Sequence, residues 1–495
     1  MRLRSRRAEI HENEVSPTSF MCISEESTTS LLNNDPQSLD AAISSDKAGE
    51  WLKAMQEEYQ LLISNNTWTL VNLPESKAAI PCRWIFKTKL DENGCVTRYK
   101  ARLVIKGYKQ VKGVDYQETY APVVRYSSIR YLIGFAAKYG LQIHQLDAIT
   151  AFLQGEIEEE IFMTLPPGYE IKNKVCRLNK SIYGLKQASR QWNKKLNTVL
   201  LEIGMTRSQV DPCVYYCIRN KEDILIIAVY VDDLLCFFNN EDTSQMIKSK
   251  LKEKFSMKDL GIAKQCIGFR ISRNTTGHEI SLDQSLYIKM ILNRFGMQDC
   301  NPVWTPTDAN VKLKRAEMEN EILTDIPYQE IIGCLLYLSQ GTRPDITYIV
   351  NALSRYNNQP TREHWAAVKR ILRYLKGTIN MKLTYKKDIK ENICGYCDAD
   401  WANDLEDRRS CTGAAAVYHP RSKHIDVRYH FVREKIIKNQ VKVQYKSTHE
   451  MVADALTKGL HRPKHEFFAA LMGLMRLRSG GDDEMDERLH AASEQ

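Results

Sequence analysis

No apolar run in the sequence approaches the ~20 residues that a membrane span needs. The basic first residues, MRLRSRRAEI, are followed by no apolar stretch of the kind that makes a secretory signal. Neither insertion nor secretion is therefore expected, and the chain reads as cytoplasmic or nuclear. Internal repeats are missing, which excludes solenoids and propellers. Charge asymmetry is slight: 70 Lys and Arg stand against 61 Asp and Glu, a formal +9. That excess is compatible with a polyanionic partner and proves none, because affinity depends on where charge clusters. The 13 cysteines are scattered, mostly through apolar stretches, as buried thiols are in a reducing compartment. One pair, Cys394 and Cys397 in CGYC, has redox-dithiol or half-zinc-site spacing. His419 and His424 follow at a longer interval than a zinc finger uses, and such spacings arise easily by accident.

What is present is ordinary globular material: 43% hydrophobic and 26% charged residues over 495 positions, enough for roughly two to four domains. Residues 1–46, rich in Ser, Thr, Asn and acids, read as a disordered lead-in. A helix is expected from KAGEWLKAMQEEYQLLISNN, where Trp51, Met55, Tyr59 and Leu62 recur at helical spacing. CRWIFKTKLDENGCVTRYKARLVIKGY predicts a hairpin turning at Asp91–Gly94. NPVWTPTDAN reads as a linker, followed by helices over YQEIIGCLLYLSQGTRPDITYIVNALSRY and HWAAVKRILRYLKGT. A last block opens at ICGYCDADWAND, and the end of the chain is a polar acidic tail.

Two aspartates, Asp232 and Asp233, interrupt the strand-like run DILIIAVYVDDLLCFF. An ionised carboxylate is costly away from water unless something positive lies beside it. The pair is expected at a hairpin tip, and alternation along a strand gives its two members different roles. Asp147, in LQIHQLDAITAFLQGE, ends a second strand-like run. Converging carboxylates of this type hold Mg²⁺, a hard ion that prefers oxygen. Taken alone, the double aspartate fits a solvated turn better than an ion site, and Asp147 fits a helix cap.

The surroundings tip that balance. YVDD resembles the signature tetrapeptide of reverse transcriptases, and QLDAITAFLQGEIEEEIFMTLPPGY resembles the other carboxylate motif in its copia-type form. The resemblance runs on through RYKARLVIKGYKQVKGVDYQETYAPVVR, SIYGLKQASRQW, DPCVYY, FSMKDLG, GCLLYLSQGTRPDITYIVNALSRY and RYLKGT. The chain is similar, over roughly residues 45–475, to the polymerase region of Pol polyproteins from copia-type LTR retrotransposons.

That resemblance implies an α+β right-hand polymerase, with reverse transcriptase fingers and palm over 47–300. Thumb and connection helices would follow over 301–385, a truncated, incomplete RNase H-like α/β remnant over 386–475, and a disordered acidic tail over 476–495. It implies an RNA-directed DNA polymerase that transfers nucleotides to a primer 3′-hydroxyl with two Mg²⁺ ions, Mn²⁺ being the alternative metal. Asp147 and Asp232 would be the principal metal ligands and Asp233 a supporting one. Phe152 matches the aromatic steric gate that rejects a 2′-hydroxyl, its bland alternative being a core ring. Lys100 or Arg102 would hold triphosphate oxygens, with a solvated strand edge as the competing reading. Gln187 and Arg190 would line the nucleotide and template pocket, and Lys258 would donate a proton to leaving pyrophosphate. Ser189, Ile149 and the segment CIGFRI depart from the family's usual residues.

The last block is similar to the first and last parts of the family's RNase H domain. Asp398 and Asp426 match outer acidic positions, and the central strands and helices with the other two carboxylates are missing between them, so RNase H function is expected to be lost. CGYC then becomes a strand. No integrase zinc module or acidic triad and no protease motif is found, so the chain is expected to be a fragment of a Pol polyprotein. Expected partners are an RNA template, a DNA or tRNA primer, dNTPs, and Gag and integrase proteins of a mobile element. The expected location is cytoplasmic virus-like particles and the nucleus. The alternative is an inactive relic that only binds nucleic acid.

Overall fold

The computed structural model describes residues 35–90, 96–219, 222–274, 279–309, 313–387, 395–399, 412–416 and 442–476. They form a mixed α+β protein divided into two compact units, 35–120 with 152–195, and 121–151 with 196–476.

The first unit opens on a short helix α1 (Leu39–Ile43) and the amphipathic α2 (Ala48–Ser64), which buries Trp51, Ala54, Met55 and Leu62. Residues 35–46, expected within the lead-in, are folded: they include α1, and Asp35 is buried against the sheet. Its carboxylate accepts from the backbone N–H of Thr88 at 3.0 Å and from its hydroxyl at 2.5 Å. Strands β1 (Trp68–Val71), β2 (Cys82–Leu90) and β3 (Val96–Ile105) follow. β2 and β3 form the expected antiparallel hairpin, although its turn lies outside the described residues. In β3 the alternation is plain: Ala101, Leu103 and Ile105 are buried, while Arg98, Lys100 and Arg102 share the other face. After a return to this unit, β5 (Phe162–Met163) and β6 (Val175–Leu178) join β1 in the order β1-β6-β5. Trp51 packs edge-on to Phe86 at 5.3 Å and to Tyr99 at 4.8 Å, and these rings head a core with Trp84, Leu103 and Met163.

The second unit begins with α3 (Tyr126–Tyr139) and β4 (Gln142–Ala148). It resumes inside helix α4 (Ala188–Glu202), where the division between units falls. Then come β7 (Thr206–Arg207), β8 (Val214–Arg219), β9 (Asp223–Tyr230), β10 (Asp233–Phe238), α5 (Glu241–Lys254) and β11 (Met257–Ile262). They build a six-stranded sheet in the order β11-β4-β10-β9-β8-β7, antiparallel throughout. The central strand β10 is buried from Leu234 to Phe238, which is why LLCFF reads as a continuous apolar run rather than an alternating one.

A second sheet of the same unit joins β12 (Gln265–Cys266), β13 (Phe269–Arg273), β14 (Glu279–Asp283), β15 (Met381–Lys386) and, at its end, β18 (Leu474–Arg476). Helices α6 (Ser285–Arg294), α7 (Tyr328–Gly341), α8 (Thr347–Ser354) and α9 (Arg362–Gly377) share one apolar core. The single helical stretch expected over 328–356 is broken at Pro344, where a short 3₁₀ turn intervenes. Arg343 and Asp345 at that break are fully buried and paired at 2.7 Å, and the Tyr374 hydroxyl also donates to Asp345 at 2.6 Å. Exposing either charge alone to an apolar core costs about 3–5 kcal/mol, so the pair fixes the break in place. β16 (Gly395–Ala399) pairs with β17 (Thr412–Ala416), so Gly395–Cys397 of the CGYC motif lie in a strand, while Cys394 lies outside the described residues. Helix α10 (Arg462–Leu471) precedes β18.

Candidate active site

Strand β4 is split between two kinds of neighbour by its own pleat. His144, Leu146 and Ala148 point to one face, and Ile143, Gln145 and Asp147 to the other. On the first face Lys248 of α5, only 2% exposed, brings its ammonium 2.7 Å from His144 Nδ1 and 3.4 Å from Asp259. Burial, reinforced by the Lys248 charge, holds the His144 pKa below its ordinary value. This polar cluster anchors α5 to the sheet.

The second face carries the carboxylates. Asp147 lies directly opposite Asp233 across β4 and β10, and directly opposite Lys258 across β4 and β11. Cross-strand partners sit on one face with Cβ atoms about 5 Å apart. Asp233, Asp147 and Lys258 therefore form a row across three strands. Gln145, on the same face, donates its amide to Asp233 at 3.0 Å.

Asp232 is placed differently, as alternation requires. β9 and β10 are joined by a two-residue loop, Val231–Asp232, with Tyr230 paired to Asp233. The hairpin tip expected from sequence is thus present. Val231 has φ 56°, a left-handed conformation that a β-branched residue adopts only under local constraint. Part of that constraint is visible: the carbonyl of Asp232 accepts from Ala148 N–H at 2.9 Å, tying the loop to the end of β4. Tyr230 is anchored beside Tyr126, and burial pushes its hydroxyl far above the usual range. A second tight hairpin joins β12 to β13 in the CIGFRI segment. Its two loop residues, Ile267 (φ 50°) and Gly268 (φ 74°), both have positive φ, and Tyr337 donates to the Ile267 carbonyl at 2.9 Å.

The remaining expected residues belong to the first unit. Phe152 packs edge-on to Tyr183 at 4.6 Å, and the Ser181 hydroxyl donates to its carbonyl at 2.9 Å. Arg102 lies over the Tyr183 ring at 4.4 Å. Burial raises the pKa of Glu58, and the nearby Arg102 and Lys100 charges oppose that rise. Gln187 is enclosed, 1% exposed: its amide nitrogen donates to the Asp115 carbonyl at 2.9 Å and to Glu159 at 3.2 Å, and its oxygen accepts from Gln110 at 3.0 Å. Arg190 pairs with Glu118 at 3.1 Å and donates to the Tyr120 carbonyl at 3.1 Å. Gln187 and Arg190 thus brace the two ends of the segment 110–120. Gly184 precedes them with φ +96°, and a Cβ there would lie 2.2 Å from the Ile105 carbonyl. Glycine is required at that position for both reasons.

In the last block Asp398 accepts from the Thr457 hydroxyl at 2.6 Å, with Lys458 3.8 Å away. Sequence reasoning passed over Asp454, which is 1% exposed and lies 3.0 Å from Lys458 and 2.9 Å from Lys464. The available signal was the Asp454–Lys458 spacing of four, a common ion-pair register. Asp426 lies outside the described residues. Among the described residues no group of three or more His, Cys, Asp or Glu side chains is arranged to hold a metal ion.

Asp147 and Asp233 thus lie side by side, with Lys258 in the same row, next to a strained two-residue hairpin in an antiparallel sheet. Comparison with known proteins identifies the family. Residues 65–309 match the sequence profile of the family described as reverse transcriptase (RNA-dependent DNA polymerase). The retrovirus-related Pol polyprotein from transposon TNT 1-94 of Nicotiana tabacum is 35% identical, over 95% of this chain and 41% of the relative. That from transposon RE1 of Arabidopsis thaliana is 36% identical, over 88% of this chain and 34% of the relative. A transposon Ty5-1 protein of Saccharomyces cerevisiae is 35% identical over 51% of this chain, a match that covers 82% of its own length. The chain belongs to the reverse transcriptase family of copia-type retrotransposon Pol polyproteins, and it spans well under half of the two plant polyproteins.

Proposed function

We propose that this chain is the polymerase part of a copia-type Pol polyprotein and copies an RNA template into DNA from a DNA or tRNA primer. The observation that supports it most directly is the row Asp233–Asp147–Lys258 beside the Val231–Asp232 loop. The donor set fits the metal the family implies: carboxylate oxygens are hard ligands, suited to Mg²⁺ or Mn²⁺. Asp147 and Asp232 would hold the ions, with Asp233, oriented by Gln145, in support. When bound, such ions neutralise triphosphate charge and lower the pKa of a primer hydroxyl. Lys258 is exposed and positive next to Asp147, where it serves as the proton donor to departing pyrophosphate.

In this reading the first unit holds the fingers. Lys100 or Arg102 binds triphosphate oxygens, Phe152 excludes a ribose 2′-hydroxyl, and Gln187 and Arg190 act on nucleotide and template through the segment they brace. The six-stranded sheet is the palm, and the helices after residue 301 are thumb and connection. Gag and integrase proteins of the same element are the proposed partners, in cytoplasmic virus-like particles and the nucleus. RNase H activity is absent in this proposal. The alignment with the tobacco polyprotein runs over 548 positions, more than this chain's entire 495, so residues present in that relative are missing here.

One observation favours the second reading, a nucleic-acid-binding relic: the residue directly across from Asp147 on β11 is the cation Lys258 rather than a further carboxylate. Primer extension with Mg²⁺, poly(rA)·oligo(dT) and dTTP separates the two. Incorporation that disappears in Asp232→Asn supports the polymerase, whereas hybrid binding without incorporation supports the relic.

A further inference from the structure

β11 is an edge strand of the six-stranded sheet and pairs with β4 alone. No residue of β11 is fully buried: Lys258, Leu260 and Ile262 are exposed, and Met257, Asp259 and Gly261 are half-buried. Register is strongly specified where one face of a strand is buried, because a slip then moves apolar side chains into water. β11 has little of that protection, and ladder bonds between backbones reform after a slip. Yet Lys258 faces Asp147 only in the observed register. A shift of one residue would turn it to the other face of the sheet.

A polar device on the reverse face fixes the register instead. Asp259 follows Lys258, points the other way, and divides its two carboxylate oxygens. Oδ1 accepts from the Gly261 N–H at 3.0 Å, closing a bulge in which Leu260 has no partner on β4. Oδ2 lies 3.4 Å from the buried Lys248 ammonium, which also donates to His144 Nδ1 on β4 at 2.7 Å. One ammonium from α5 thus joins the two strands. The Phe238 ring packs against it, 4.9 Å from the His144 ring and 5.5 Å from the ammonium. Lys252 stands 3.7 Å from Asp259 as a more exposed second cation. Buried ionic groups are a weak source of stability, and fixing a register is their best-attested use. We propose that Lys248, His144 and Asp259 are positioning residues for nucleotidyl transfer, locking β11 in register from behind the sheet and so holding Lys258 beside Asp147. None of the three touches substrate. The proposal rests on the polymerase reading, with Lys258 as proton donor to pyrophosphate, and deepens it.

The test is single-turnover incorporation by the full chain on poly(rA)·oligo(dT) over a range of dTTP concentrations. Lys248→Met removes the charge and keeps a stem of similar length. It should lower the maximal rate roughly tenfold, a part of what a well-placed general acid contributes. The dTTP concentration giving half the maximal rate should stay within about twofold, because the triphosphate contacts are untouched. Lys258→Ala should show the same split. The double variant Lys248→Met/Lys258→Ala should be no slower than Lys258→Ala alone, since both changes remove one function. Asp259→Asn keeps an acceptor for the Gly261 N–H and loses the charge facing Lys248. It should show the split too, and it decides the matter if Lys248→Met does not fold. A normal rate in the folded variants, or losses that multiply in the double variant, would overturn the positioning role and leave the polymerase reading standing. A slow Lys248→Met beside a full-speed Lys258→Ala also overturns it. A parent chain that incorporates nothing overturns both readings.

Discussion

Asp147 and Asp232 occupy different local environments, and their replacement should nonetheless give the same phenotype. Asp147 lies within a strand between two cross-strand partners, while Asp232 sits in a loop tied by its own carbonyl to β4. If both hold the reacting metals, Asp147→Ala and Asp232→Asn each remove Mg²⁺-dependent incorporation. Hybrid affinity should stay within about twofold, because lysine and arginine contacts to phosphate supply most non-specific binding. Near-normal extension by Asp147→Ala would end the assignment. Phe152 makes a narrower claim. Its ring is fixed edge-on against Tyr183, and a rigid ring is suited to rejecting a single hydroxyl. Phe152→Val should raise ribonucleotide incorporation relative to deoxyribonucleotide. Equal discrimination by both proteins, measured by single-nucleotide extension, returns Phe152 to the core.

At the scale of elements, the connection between β3 and the start of α4 depends on close backbone approach. Gly107 and Gly184 face each other so tightly that a Cβ on Gly107 would fall on the Gly184 carbonyl, and Gly184 itself has positive φ. Gly184→Ala should therefore destabilise the protein by about 2 kcal/mol or more, since the backbone must shift as well as strain. It should also lower primer extension further than the stability loss explains, because Gln187 and Arg190 follow three and six residues on. Urea unfolding beside extension rates at a temperature where the variant is still folded would check both. The elements themselves were largely legible. α2, the β2–β3 hairpin, the β9–β10 hairpin and α9 follow from periodicity and turn residues. The break at Pro344 was not, because a fully buried Arg343–Asp345 pair overrides the continuous apolar pattern around it. The burial of Gln187 was not legible either, because the tertiary partners that allow it come from residues 110, 115 and 159.

For the whole molecule, acid should be destabilising well above the carboxylate range. Burial lowers the pKa of both His144, reinforced by the Lys248 charge, and His465, near Asp345 and Arg343 and with its ring 3.0 Å from the Tyr374 hydroxyl. A histidine whose folded pKa lies below its unfolded value of 6.5 keeps its full contribution above 6.5, and the unfolded chain binds the extra proton below it. Stability should accordingly fall as pH drops from 7 towards 5, and His465→Gln should flatten part of that fall in urea midpoints. A flat parent profile over that window refutes the assignment. The C-terminal block supplies the other molecular prediction. Two-metal hydrolysis needs several carboxylates converging on both ions. Asp398 is instead bonded to Thr457, and the neighbouring Asp454 is neutralised by Lys458 and Lys464. A labelled RNA–DNA hybrid with Mg²⁺ or Mn²⁺ should remain uncut, and specific cleavage abolished by Asp398→Asn would reverse that conclusion.

The sequence by itself determined the family, because that rests on residue types in a fixed linear order: YVDD, QLDAITAF and the blocks around them. It also determined that Asp232 and Asp233 differ, since strand alternation is a local rule. Only the tertiary structure decided which groups share a face. Strand register, set by burial of β10 on both sides, put Lys258 and Asp233 on either flank of Asp147 and turned His144 towards Lys248 on the other side of the sheet. The pairing of strands distant in sequence is fixed by the packing of the whole core, and no stretch of the chain contains that information on its own.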